Sequence, residues 1–189
     1  MSMDNESFWK LLEPLHDEAA AFCQKLAGDR DAGEDLYQDA LLKGMRRFGH
    51  LREASAFRPW LYRVIVNSFR NRLRRSVRRG GATAKDLEAE NLSGHDPRDE
   101  YESRRRLEAL LSKLSREDKA MVVLHDIDGW SIPELARMLG RPEGTIKTRL
   151  FRARRKMRRI IERSLSSALS TRTKVEGEYA LRTGKAVDK

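Results

Sequence analysis

The chain has 189 residues and a formal net charge of +10, from 39 Lys and Arg against 29 Asp and Glu, with a sequence pI near 10.0. That balance points to a polyanionic partner, nucleic acid before any other, and the 39% apolar content is enough for small helical bundles. No apolar run approaches the roughly 20 residues needed to cross a bilayer, and the single cysteine, Cys23, excludes an internal disulfide. The opening MSMDNESFWK has no basic stretch followed by an apolar core, so no signal peptide is read and a cytoplasmic protein is expected. The histidines His16, His50, His95 and His125 are scattered and neither Cys nor His recurs at ligand spacing, so neither metal nor cofactor is expected.

Helical periodicity recurs over Phe8 to Leu26, Ala32 to Phe48, Pro59 to about Val77, Tyr101 to Leu114 and Glu117 to Ile127, with strand signals nearly absent. The expected fold is all-α: two small helical domains joined by a flexible acidic linker, the second containing a helix-turn-helix. Cys23, between Phe22 and Leu26, reads as core packing rather than a reactive thiol.

In Asp35 to Phe48 the apolar residues Leu36, Ala40, Leu41, Met45 and Phe48 form a buried stripe, and Asp35, Gln38, Asp39 and Leu42 share another face. Two carboxylates one turn apart can serve metal or acid–base chemistry. Here no third ligand joins them, and acids in a first turn are ordinary partners of the helix dipole. A leucine beside acids and an amide suits a protein interface instead. Next, Ser55 to Arg75 places Leu61, Ile65, Phe69 and Leu73 on one side and Arg63, Asn67, Arg70 and Arg74 on the other, with Phe57 and Trp60 near the start. The aromatics can be core and the arginines solubilising. Together, aromatics, an amide and arginines with almost no acids are what stacking on and reading unpaired bases requires.

Between Gly80 and Glu100 the composition turns to glycine, proline, serine and acids, the mark of a weakly ordered linker. Its roughly 20 residues at about 3.3 Å each reach about 70 Å, so two domains can touch DNA at separate places. The partition is 5–79, linker 80–100, 101–164, and a tail 165–189 of weak order.

The second domain opens with Leu107, Leu110, Leu111 and Leu114 on one face. Ser131 then precedes Glu134 by three, a capping box, with Pro133 in the first turn, and Gly140 supplies a left-handed end before Pro142 starts the next helix. That next helix buries Ile146, Leu150, Ala153, Met157 and Ile160 and turns outward Lys147, Thr148, Arg149, Phe151, Arg152, Arg154, Arg155, Lys156, Arg158 and Arg159. A basic helix can also be merely solvated or lie on a membrane surface, but neither needs the capped helix and tight turn before it. The pattern is that of a DNA-binding helix-turn-helix whose lysine, threonine and phenylalanine suit base edges and whose arginines suit phosphates.

GDRDAGEDLYQDALLKGMRRF, FRPWLYRVIVNSFRNRLRR and GWSIPELARMLGRPEGTIKTRLFRARRKMR, in this order around an acidic linker, resemble the extracytoplasmic-function sigma factors, the smallest two-domain members of the bacterial primary sigma family. The resemblance covers about Phe22 to Arg159 apart from the linker. It implies a protein that binds core RNA polymerase and directs it to promoter DNA without bond-making chemistry, a cofactor or a small-molecule substrate of its own. It matches Asp35, Gln38, Asp39 and Leu42 to the surface that grips the polymerase clamp helices. Asn67 matches the residue that accepts a flipped minus-ten base, with Phe57, Trp60, Arg63, Arg70 and Arg74 near that strand. Lys147, Thr148, Phe151, Arg152 and Arg155 match the reader of the minus-thirty-five element. Family members are often held by an anti-sigma factor, which makes one an expected partner. The linker is expected to thread toward the polymerase channels, and no role attaches to His125 and Asp126.

Two other readings stay open from the residues. A stand-alone helix-turn-helix regulator predicts a two-fold site and tight duplex binding without polymerase, and leaves the strip from Trp60 to Arg74 without a task. A nucleic-acid-processing enzyme built on Asp35 and Asp39 lacks a nucleophile, a base or a metal cluster.

Overall fold

The apolar run from Phe8 to Leu26 is two helices rather than one. In the computed structural model, which describes residues 5–78 and 98–183, α1 (Asn5–Leu12) stops ahead of Pro14, a single 3-10 turn (Glu13–Leu15) redirects the chain, and α2 (His16–Ala27) follows. A proline inside a helix removes a backbone donor and clashes with the preceding turn, so the axis breaks although the periodicity persists. Gly28, at φ 79°, ends α2 in the left-handed conformation that glycine adopts without strain. α3 (Arg30–Arg47) starts from Asp29, whose carboxylate accepts the Ala32 N–H at 2.8 Å. A Cβ on Gly33 would sit 2.6 Å from the Gln24 Cα, so α2 and α3 cross in backbone contact at that point. α4 (Phe57–Arg78) lies across both.

In the second half, α5 (Arg98–Ser112) leads to α6 (Arg116–Val122), capped by the Ser115 hydroxyl. A π turn (Val123–Ile127) then carries the chain to α7 (Ile132–Leu139) and α8 (Glu143–Thr183). The π turn explains the two residues left without a role. The His125 ring donates through Nδ1 to the Trp130 carbonyl at 2.6 Å, and Asp126 accepts from the Arg154 Nε at 3.0 Å, so both brace the approach to α7. Among the described residues no strand occurs, and the all-α expectation holds. The expected acidic linker lies outside the described residues except for 98–100, which belong to α5. α8 runs past the boundary at 164 drawn from the sequence, into the segment read as a tail, of which 184–189 lie outside the described residues.

Phe8, Phe22, Leu36, Phe48, Leu61 and Ile65 fill the first half, and Leu111, Met121, Leu124, Leu135, Ile146 and Leu150 the second, in one continuous core. The two halves also pack on each other: α4 lies against α6 and α7, and α2 against α6 and the π turn. The reason is a second apolar face on α4. Besides the stripe of Leu61, Ile65 and Phe69, the helix buries Tyr62, Val64 and Val66. The Tyr62 ring stacks on Trp130 at a centroid distance of 4.8 Å.

Candidate nucleic-acid and partner interfaces

On α3 and the turn that follows it, Leu36, Ala40 and Phe48 are buried and Leu41 and Met45 half-buried, which leaves Asp35, Gln38 and Leu42 exposed and Asp39 half-exposed along one face. Leu42 is 58% exposed, a large apolar side chain in water beside two carboxylates. Each acid has a basic neighbour, one from the same helix and one from α4. The Arg72 Nη2 donates to Asp35 Oδ2 at 2.9 Å while its Nη1 donates to the Ala32 carbonyl at 2.6 Å. Lys43 pairs with Asp39 and reaches the Ser68 hydroxyl at 3.2 Å. Gln38 bonds Glu34 only at 3.5 Å. The result is an acidic ridge with an apolar crest, held by α4 from behind. Among the described residues no group of three His, Cys, Asp or Glu side chains that could hold a metal ion occurs.

On α4, Arg63, Asn67 and Arg70 are exposed on one line, spaced by four and three. The side chain of Arg74, next on that line, lies outside the described residues. Phe57 does not join the strip. It is 2% exposed and edge-on to Phe8 and Phe48 at 5.5 and 5.8 Å, so its bulk positions the start of α4 and cannot stack on a base. Trp60, half-buried, rests on the margin of that cluster, 5.7 Å from Phe57 and 6.2 Å from Phe48, with part of its surface open. The strip is thus an amide between guanidinium groups, flanked by one available indole, a surface suited to an unpaired strand.

The helix-turn-helix forms as the residues require. Ser131 accepts from the Glu134 N–H at 3.4 Å and the Glu134 carboxylate accepts from the Ser131 N–H at 2.8 Å, closing the capping box. Gly140 takes φ 64°. Ile146, Leu150 and Ala153 are buried and Met157 and Ile160 half-buried, so α8 shows Lys147, Thr148, Phe151, Arg152 and Arg155 to solvent. Phe151 is 64% exposed, and Thr148 turns its hydroxyl to the Gly144 carbonyl at 2.8 Å. Three residues read as outward point home instead. Arg149 binds Glu117 and Asp118 at 2.9 Å each, Arg154 binds Asp126, and Lys156 donates to the Lys113 carbonyl. These partners lie 28 to 43 residues away, beyond any local pattern. Burial pushes the Glu117 carboxyl up, but the Arg149 hydrogen bond and the charges of Arg149, Arg141 and Arg70 outweigh it and hold the group below the ordinary carboxylate range.

Residues 11–79 match the family described as Sigma-70 region 2, and residues 104–157 that described as Sigma-70, region 4. The ECF RNA polymerase sigma factor SigM of Mycobacterium tuberculosis is 32% identical over 158 residues, which cover 84% of this chain and 79% of that protein. The ECF RNA polymerase sigma-E factor of Escherichia coli K12 is 29% identical over 80% of this chain and 84% of its own. Among solved structures, the sigma factor RpoE in complex with the anti-sigma factor NepR from Bartonella quintana superposes with a TM-score of 0.65 at 24% identity, over 83% of this chain and 98% of that one. CnrH in complex with the cytosolic domain of CnrY gives 0.59 at 22% identity, over 85% and 91%. Both likenesses are of fold.

Proposed function

The chain belongs to the extracytoplasmic-function RNA polymerase sigma factors, and from that membership we propose how its surfaces divide the work of starting transcription. As a sigma factor it binds core polymerase and directs it to promoter DNA. The ridge of Asp35, Gln38, Asp39 and Leu42 docks on the polymerase, with Leu42 as the desolvated anchor and the acids facing a basic surface. Asn67 accepts an extruded base of the minus-ten element, Arg63 and Arg70 hold the phosphates on either side, and Trp60 stacks at its margin. On α8, Lys147, Thr148, Phe151 and Arg152 meet base edges in the major groove of the minus-thirty-five element, and Arg155 meets its backbone.

The observation that carries this division is the pair of exposed strips on different halves of the chain, one narrow and amide-centred on α4, one broad on α8. A stand-alone regulator is not favoured, because it has no use for the first. The chain itself contributes no bond-making chemistry; the polymerase does, in the cytoplasm. No described helix is long and apolar enough to cross a membrane. The two structural neighbours were solved with anti-sigma factors bound, which supports such a partner for this chain also.

The test is in vitro transcription from a pool of genomic fragments with core polymerase, with and without the protein. New start sites preceded by two shared elements are expected. No new starts, together with tight binding of the chain alone to a palindromic duplex, would overturn the reading. Arg152→Ala should weaken upstream-element binding in the holoenzyme; open-complex yield unchanged by both this substitution and Asn67→Ala would sink the residue assignments.

A further inference from the structure

We propose that the elbow between α1 and α2 is a docking site for a second protein, one that presents a lysine or arginine beside an aliphatic side chain and joins the chain while polymerase and promoter hold its other surfaces. The site rests on the structure alone; that it stays free in the holoenzyme rests on the sigma-factor reading.

The elbow exists because Pro14 breaks the helical run. Where the chain turns, Trp9, Leu12 and His16 line a hollow of about 540 Å³ whose rim carries Glu6, Glu13 and Asp17. Leu12 is buried and joins the floor of the hollow to the core. Trp9 is 48% exposed, with its ring edge-on to Phe8 at 5.5 Å. An indole left in water at the lip of a hollow is the kind of group that anchors a protein interface, since it buries a large area at little cost in side-chain freedom and offers its π face to a cation.

The fold sets the walls. The His16 Nδ1 lies 2.9 Å from the Tyr37 hydroxyl with the two rings edge-on, and Phe8 packs where a Cβ on Gly44 would lie 3.4 Å from its ring. The hollow is therefore formed before anything binds, and little ordering is left for a partner to impose.

Charge selects the occupant. Lys10 pairs with Glu6 at 2.7 Å, while Glu13 and Asp17 stand exposed with no ion-pair partner among the described residues. Three carboxylates against one ammonium thus gather on a chain whose net charge is +10. Phosphates, of DNA or of a lipid surface, are repelled there, so the hollow does not continue the strips on α4 and α8. A basic side chain is drawn in instead, its aliphatic stem along the indole and its head among the carboxylates.

Position keeps this site apart from the ridge on α3. The elbow reaches α3 through Tyr37 and Gly44, both buried, whereas Asp35, Gln38 and Leu42 are exposed. At about 100° per residue, Tyr37 and Gly44 lie roughly opposite the middle of that ridge. A partner in the elbow stands across α3 from the surface that docks on polymerase.

The test uses the full chain, free and in holoenzyme, with a fluorescein-labelled peptide of leucine and lysine as probe and its leucine–glutamate counterpart as control, read by anisotropy. The lysine peptide should bind both forms with the same affinity and weaken as salt rises; the glutamate peptide should not bind. Trp9→Ala, and the pair Glu13→Lys with Asp17→Lys, should each lower that affinity about tenfold, with transcription by the holoenzyme unchanged. No binding to the free chain would overturn the site, as would binding that survives these substitutions and falls with Asp35→Lys, which belongs to the ridge. Loss of the Trp9-dependent signal when the holoenzyme assembles would overturn the claim that the elbow stays free. A chain that forms no holoenzyme would instead strike the sigma-factor reading and leave the free-chain titration to decide the site.

Discussion

The helices α4 and α8 are both basic and both amphipathic, and both are proposed to meet DNA, yet they place their aromatic residues in opposite ways. α8 buries one narrow stripe, so Phe151 stands in water with lysine, threonine and arginine around it. α4 buries two faces, keeps Phe57 in the core, and leaves a line of Arg63, Asn67 and Arg70 between its neighbours. On the proposed division, a helix that projects suits entry into a rigid duplex, whereas a strip held in a frame suits capture of an unpaired strand. The number of buried faces, more than the count of arginines, separates the two tasks.

A matched pair of truncations breaks that comparison most sharply. Phe57→Ala should lower unfolding stability by about 3–5 kcal/mol, read by denaturant titration, since it empties a filled aromatic cluster. Phe151→Ala should leave stability within about 0.5 kcal/mol. It should instead weaken minus-thirty-five binding in the holoenzyme by about 1–3 kcal/mol. Equal effects on stability would erase the distinction.

The cover that α6 lays on the first half can be titrated. Burial pushes Lys119 down to about 8 from 10.5, opposed by the Glu108 carboxylate and assisted by Arg116. Between those values the unfolded chain binds the proton that the folded chain has released, so this group makes stability rise with pH there, and below about 8 its buried charge costs in full. Lys119→Met should flatten that rise and stabilise the protein at pH 7 by about 1–3 kcal/mol. A steeper rise after the substitution would contradict the assignment.

Asn67→Ala should cut open-complex formation about tenfold, near 1.4 kcal/mol, with core affinity unchanged, measured by permanganate footprinting beside a core-binding titration. The smallest effect is expected at Arg155→Ala: a salt dependence of promoter binding shallower by about one ion, with sequence preference kept.

The capping box at Ser131, the left-handed Gly140 and the stripe from Ile146 to Met157 were all legible in the sequence, because each is a local signature whose partner lies within a turn or two. The break at Pro14 was visible as a residue and hidden by the continuing apolar rhythm. The second face of α4 went unread, since Tyr62 and Val66 carry no periodic mark that says which neighbour covers them. Arg149, Arg154 and Lys156 looked like a DNA-facing surface for the same reason: charge composition shows that a residue can meet phosphate, and only the fold shows that Asp118 or Asp126 has met it first. Arg72, which steadies Asp35 from another helix, had no signal short of the tertiary structure.

Trp130 gives this protein a built-in spectroscopic reporter. It is 3% exposed, with Arg58 on one side and Tyr62 against it, while Trp9 and Trp60 sit in the first half away from that contact. With those two replaced by phenylalanine, the remaining indole emission registers the polarity of a single place. A red shift of that emission under rising denaturant would report the loss of this one contact, with no dye attached.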